Sequence, residues 1–196
     1  MKREDLRPLT TYWLDPDNRI ARVCEAWDSF ARANNGEAAL GVSVVGRPLA
    51  DFVTGDVTRM WVNALLTLGR LRNSPVERPY RCDSPDEERY MSLRIVPEES
   101  GFLRVEHILH TAQRRPEPLF VRPALFQRQP HHRRCSVCSR VLQDGKWVAP
   151  EHARDLKRRA DGAELRVIYS VCEDCLLMLP QCQPYPTLRP GSAPDG

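Results

Sequence analysis

Two C-x-x-C pairs constrain this chain more than any other feature. Cys135/Cys138 and Cys172/Cys175 stand 33 residues apart. Each pair can present two thiolates on one side of a tight turn. Two such turns brought together make the tetrahedral sulfur cage that Zn²⁺ prefers. A bound metal also keeps the thiols deprotonated, so metal binding and folding are coupled. The spacing leaves room for a hairpin and a helix between the pairs. A structural zinc site at Cys135, Cys138, Cys172 and Cys175 is therefore expected. The competing reading is two disulfides or four buried thiols.

The remaining cysteines are Cys24, Cys82 and Cys182. The start, Met1-Lys2-Arg3-Glu4-Asp5, is charged with no apolar run behind it, and no stretch reaches membrane-span length. A reducing, cytoplasmic setting is expected, where cysteine pairs hold metal more often than they form disulfides. The net charge of +3 is uneven. Residues 1–112 carry 15 basic and 17 acidic side chains, whereas residues 113–196 carry 14 and 9. The basic excess thus lies with the cysteine pairs, which keeps acidic or nucleic-acid partners in view.

In the first half, Tyr12-Trp13-Leu14 reads as a strand. Asp15-Pro16-Asp17-Asn18 reads as a turn, with Ile20 and Val23 on the return strand. Glu25 to Ala33 has helical spacing and ends at Asn34-Asn35-Gly36. Residues 40–55 suit short helical turns. Asp56 is a candidate N-cap for a longer helix, with Val57, Met60, Trp61, Ala64, Leu65 and Leu68 as its apolar stripe. Strands are expected at Val76–Cys82, Glu88–Val96 and Phe102–His110. Their alternation suits an antiparallel sheet with one covered face.

This order, two strands, helices, then three strands, resembles the PAS domain. So do Trp13-Leu14-Asp15-Pro16-Asp17-Asn18-Arg19-Ile20 and Val45-Gly46-Arg47-Pro48-Leu49-Ala50-Asp51-Phe52. Pro79-Tyr80-Arg81-Cys82-Asp83-Ser84-Pro85 with Arg89-Tyr90-Met91 is similar to a bacterial subgroup of that family. The resemblance covers residues 10 to 112. It implies a fold of the α+β class: a five-stranded antiparallel sheet with helices on one face, here followed by a small zinc-binding module.

From Thr111 to His132, prolines and arginines alternate, which opposes regular structure. A semi-extended linker is expected, laid on the first domain through Leu119, Phe120, Val121, Leu125 and Phe126. Beyond it, Val141 to Val148 reads as a hairpin turning at Asp144-Gly145. Pro150 to Ala160 reads as a helix, and a second helix is expected from Cys175 to Leu179. Cys135-Ser136-Val137-Cys138-Ser139-Arg140-Val141, Asp144-Gly145-Lys146-Trp147-Val148 and Ser170-Val171-Cys172-Glu173-Asp174-Cys175 resemble a cysteine module found at the end of bacterial PAS and response-regulator proteins. Tyr169 stands where that module has His, and Ser170 where it has Gly, so any role for that His is absent here. The expected division is a PAS-like domain at 8–112, a linker at 113–131, a zinc module at 132–182 and a disordered tail at 183–196.

A ligand pocket in the first domain would draw on Trp27, Phe30, Phe52, Trp61, Tyr80, Met91 and His107. The plainer reading is that these side chains fill the core. His107 is the one candidate haem ligand, and haem or flavin is the alternative cofactor to none in that domain. Cys82 beside Arg81 is a candidate redox thiol against a packed strand residue. No enzymatic activity is expected: a four-cysteine site is closed, and Glu87/Glu88 and Glu98/Glu99 lie in turn-like, solvated sequence.

The functional expectation is a bacterial-type sensory or signalling adaptor. A protein partner would read the zinc module, and a homodimer could form through the PAS sheet. Loss of Cys172 should then unfold only the C-terminal third. The alternative is a small nucleic-acid regulator using Arg154, Lys157, Arg158 and Arg159 on the expected helix, with Arg133, Arg134 and Arg140 near the first pair.

Overall fold

The computed structural model describes residues 7–34, 36–124, 131–154, 157–159 and 162–178. The expectations for Met1–Asp5, Asn35, Leu125, Phe126, Leu179, Cys182 and the tail lie outside the described residues.

The first sheet is built from β1 (Thr10–Leu14), β2 (Ile20–Val23), β3 (Val76–Arg81), β4 (Glu87–Pro97) and β5 (Leu103–Arg114). Its spatial order is β2-β1-β5-β4-β3, and every pairing is antiparallel. Asn18 adopts φ 60 in the first turn, a conformation that Asn tolerates. Between β2 and β3 lie α1 (Ala26–Ala33), α2 (Gly41–Val44) and α3 (Asp56–Arg72), with short 3₁₀ turns at Glu37–Ala39 and Leu49–Phe52. One sheet face, carrying Leu14, Ile95, Leu103 and Val105, packs with Trp61, Leu65 and Leu66 of α3.

Four details depart from expectation. The cap of α3 is Gly55 at φ 88, and Asp56 is the first helical residue, paired with Arg59. The buried side of α3 is turned toward Trp61, Leu65, Leu66 and Gly69, leaving Met60 70% exposed and Val57 and Ala64 outside the core. The sheet is covered on more than one side, since Ser92, Glu106 and Ile108 on the opposite face are also buried. Glu88 is not solvated either: it pairs with Arg81 and Arg115.

The second sheet contains β6 (Leu119–Pro123), β7 (His132–Cys135), β8 (Val141–Gln143), β9 (Lys146–Val148), β10 (Lys157–Arg159) and β11 (Gly162–Ser170). The path is β10-β11-β7-β8-β9, and β6 also pairs with β11. β6 and β7 run parallel to β11. The expected linker therefore contributes a strand, because its prolines flank Leu119–Arg122 and leave those residues free to pair. The expected helix at Pro150–Ala160 is a 3₁₀ turn at Pro150–His152 followed later by β10. β11 carries Ala163, Leu165 and Val167 into a second small core with Leu119, Val141 and Ala153. The β8–β9 turn does fall at Asp144-Gly145, both at positive φ. α4 (Glu173–Leu177) closes the described chain.

The two sheets share a core. Cys135, Val137, Val171, Cys172 and Cys175 belong to the same buried cluster as Leu14, Trp61 and Ile95.

Candidate metal centre

Local hydrogen bonds shape both cysteine turns. After β7, the Ser139 amide donates to the Cys135 carbonyl at 3.0 Å, and the Cys135 amide donates to the Arg140 carbonyl at 2.8 Å. Ser139 adopts φ 65 to close this turn. The second pair follows β11: Cys172 precedes α4, and the Leu176 amide donates to its carbonyl at 3.0 Å. Pairing of β7 with β11 sets Cys135 beside Ser170, which delivers one turn against the other.

The four Sγ atoms all lie within 4.8 Å of one another. The Cys138 and Cys172 sulfurs are 3.8 Å apart. A tetrahedral metal with bonds of about 2.3 Å to sulfur needs edges of about 3.8 Å. A disulfide needs about 2.05 Å, and all four cysteines are free thiols here. The donor set therefore fits one metal ion. Four thiols this close cannot all ionise without a cation. Hydrogen bonds from Cys135 and Cys175, with Arg140, hold the Cys138 thiol far below the usual range. Burial pushes Cys172 up to about 11, and the neighbouring thiols push Cys175 up. A divalent ion removes this conflict by binding all four as thiolates.

The surrounding groups supply positive charge and hydrogen bonds. Arg140 Nε donates to Cys138 Sγ at 3.2 Å, and its Nη2 donates to Cys172 Sγ at 3.6 Å and to Asp174 at 2.7 Å. The Cys172 amide donates to Cys135 Sγ at 3.3 Å. Trp147 Nε1 donates to Glu173 at 2.7 Å. Such second contacts orient ligands and tune affinity.

The first turn is also joined to the first sheet. The Arg81 amide on edge strand β3 donates to the Val137 carbonyl at 2.7 Å. Thr58 Oγ1 and Ser136 Oγ share a 2.7 Å hydrogen bond. A side-chain carbon at Gly55 would lie 3.2 Å from Tyr169 Cβ, so α3 begins directly against β11. A shielded ion network completes the joint. Asp83 Oδ2 lies 2.8 Å from Arg81, 3.0 Å from Arg115 and 3.8 Å from Arg134. Arg115 also reaches Glu151 at 3.4 Å.

The other proposed site residues fall in several places. Tyr80, Met91 and His107 meet on the helix-covered face: the Tyr80 hydroxyl is 2.5 Å from His107 Nδ1 and 3.4 Å from Met91 Sδ. Tyr12 stacks on His107, and Trp27 meets Tyr12 edge-on. Though His107 is half-buried as a residue, enclosure of its ring pushes it down to about 4. Trp61 is buried in the same core. Phe52 packs against that core with the Arg47 guanidinium 4.7 Å from its ring, and Phe30 is half-buried outside the core cluster. The Cys82 thiol is pushed up by burial, and the Arg81 guanidinium turns to Asp83 and Glu88 instead. Arg154 pairs with Asp144, and Lys157–Arg159 lie on β10, so these cations form no helical row.

The cysteine spacing announced the ligands. The roles of Thr58, Ser136, Asp83 and Arg140 had no comparable signal, because each depends on a partner far along the chain. No helix among the described residues is long and apolar enough to cross a membrane. No protein-family model matches this chain, and no curated protein matches it.

Proposed function

We propose that this chain is a sensory or signalling adaptor whose PAS-like domain is read out through a zinc-bound cysteine module. The bond from the Arg81 amide to the Val137 carbonyl carries this reading, because it ties the turn holding two sulfur ligands to the edge of the first sheet. The strand order and the helices on one sheet face support the PAS-like assignment. A four-sulfur donor set supports zinc in a closed, structural role, with Cys135, Cys138, Cys172 and Cys175 as ligands. Zinc would fix the two turns relative to each other. The chain's own residues do the rest: Arg140 offsets thiolate charge, and Asp83 gathers Arg81, Arg115 and Arg134 across the joint.

In this reading a change around Tyr80 and His107 passes along β3 to Arg81 and so to the metal turn. Replacing Tyr80 by Phe in ¹⁵N-labelled, zinc-loaded protein tests it. The amide signals of Cys135 to Ser139 should move, with one equivalent of zinc retained. Unmoved signals in that turn would contradict coupling. An absorption band above 350 nm in the purified protein would replace this reading with a haem or flavin sensor.

A further inference from the structure

We propose that the open face of the second sheet binds single-stranded nucleic acid through its phosphates, a role separate from the zinc-linked readout above. Pairing in register puts Phe120, Arg122, Glu164, Arg166, Ile168 and Arg133 on one face of β6, β11 and β7. Arg122 stands directly beside Arg166, and Arg133 beside Ile168. Arg122, Arg133 and Ile168 are exposed, and Arg166 is half-exposed. Glu164 is the one acid among these six residues, and Arg122 and Arg166 both lean on it at 3.3 and 3.6 Å. These six residues carry three cations and one anion. Like charges side by side on a sheet are destabilising unless an anion offsets them. On the other pairing of β11, Lys157 and Arg159 of β10 hold register positions opposite Glu164 and Gly162.

The face suits a polyanion with flat bases. Residues two apart on a strand are separated by about 7 Å, so Arg122 and Arg166 form one step and Arg133 a second along a backbone. At the far end the half-buried Phe120 ring lies over Gly162: a side-chain carbon there would sit 3.2 Å from Phe120 Cε2. A partly open ring beside a cationic row is the combination that stacks bases and tracks phosphates without reading sequence. An acidic protein would satisfy the arginines but leave the ring without a stacking partner.

The test is fluorescence anisotropy of a labelled 20-nucleotide oligo(dT) with the full, zinc-loaded chain. Three phosphate contacts predict a slope of log affinity on log salt of about −2, or about 20-fold weaker binding from 50 to 200 mM salt. Arg122→Ala, Arg166→Ala and Arg133→Ala should each flatten that slope by about 0.7. Arg94→Ala, on the first sheet, should not change it. Phe120→Leu should weaken binding at every salt concentration without altering the slope. Circular dichroism and zinc content are checked for each variant, so that lost folding is not read as lost binding. Absence of binding at 50 mM salt overturns the proposal. So does equal loss in Arg94→Ala, which would mean diffuse attraction. Displacement by poly-glutamate at lower concentration than by unlabelled oligo(dT) would assign the face to an acidic protein.

Discussion

Arg140 donates to two of the four sulfur ligands and to Asp174, so its guanidinium offsets charge that a zinc–thiolate centre would carry in excess. Replacing it by Met keeps the stem and removes the donors. Metal affinity should fall about 10- to 100-fold, read by competition with a chromogenic chelator. Unchanged affinity would make Arg140 a surface residue. His107 carries a second residue-level expectation. Burial holds it down to about 4 in the fold, against about 6.5 in an open chain. The unfolded chain then binds more protons between these values, so stability is full above pH 6.5 and falls as pH drops toward 4. The loss is up to about 3 kcal/mol, measured by urea unfolding at pH 7 and 4.5. A His107→Leu protein should lack that slope. The four cysteines were legible because their spacing is local. Arg140 was legible only as a basic residue, since Asp174 and Cys172 reach it through the fold.

The elements show how the sheet narrows the stripe expected on α3. Trp61 and Leu65 of that stripe are buried and Leu68 packs against the same core, whereas Val57, Met60 and Ala64 face outward and Leu66 and Gly69 are buried instead. On propensity alone Gly69 weakens the helix. Its reason is steric: a side-chain carbon there would come within 3.0 Å of Ile95 Cγ2. Gly69→Ala should therefore destabilise by about 1 kcal/mol despite the better helix propensity, seen in denaturant unfolding. The chief sequence miss was β11 with its partner β6. Charged Glu164 and Arg166 interrupt the apolar run, and prolines disguise β6 as linker. The contact between α3 and the first cysteine turn can be weighed by a double-mutant cycle. Thr58→Val and Ser136→Ala should each cost about 1 kcal/mol, and the double change should cost clearly less than their sum. Full additivity would show the two hydroxyls to be independent.

At the scale of the whole molecule, a chain read as two bodies and a linker has a continuous core. Val137, Val171 and the cysteines pack with Trp61 and Ile95, and the Asp83 network joins β3, Arg115 just past the end of β5, and β7. That continuity was hidden in sequence because Arg81 and Asp83 lie beside the expected strand end, with no local partner to announce the joint. It also changes what loss of Cys172 should do. Damage confined to the C-terminal third was expected of separate modules, whereas a shared core predicts that the first sheet is destabilised as well. Amide hydrogen exchange on the zinc-loaded protein before and after chelation tests this most directly. Chelation should speed exchange in Val76–Arg81 of β3 together with both cysteine turns. If the turns open while β3 keeps its protection, the metal centre is not joined to the sheet as described.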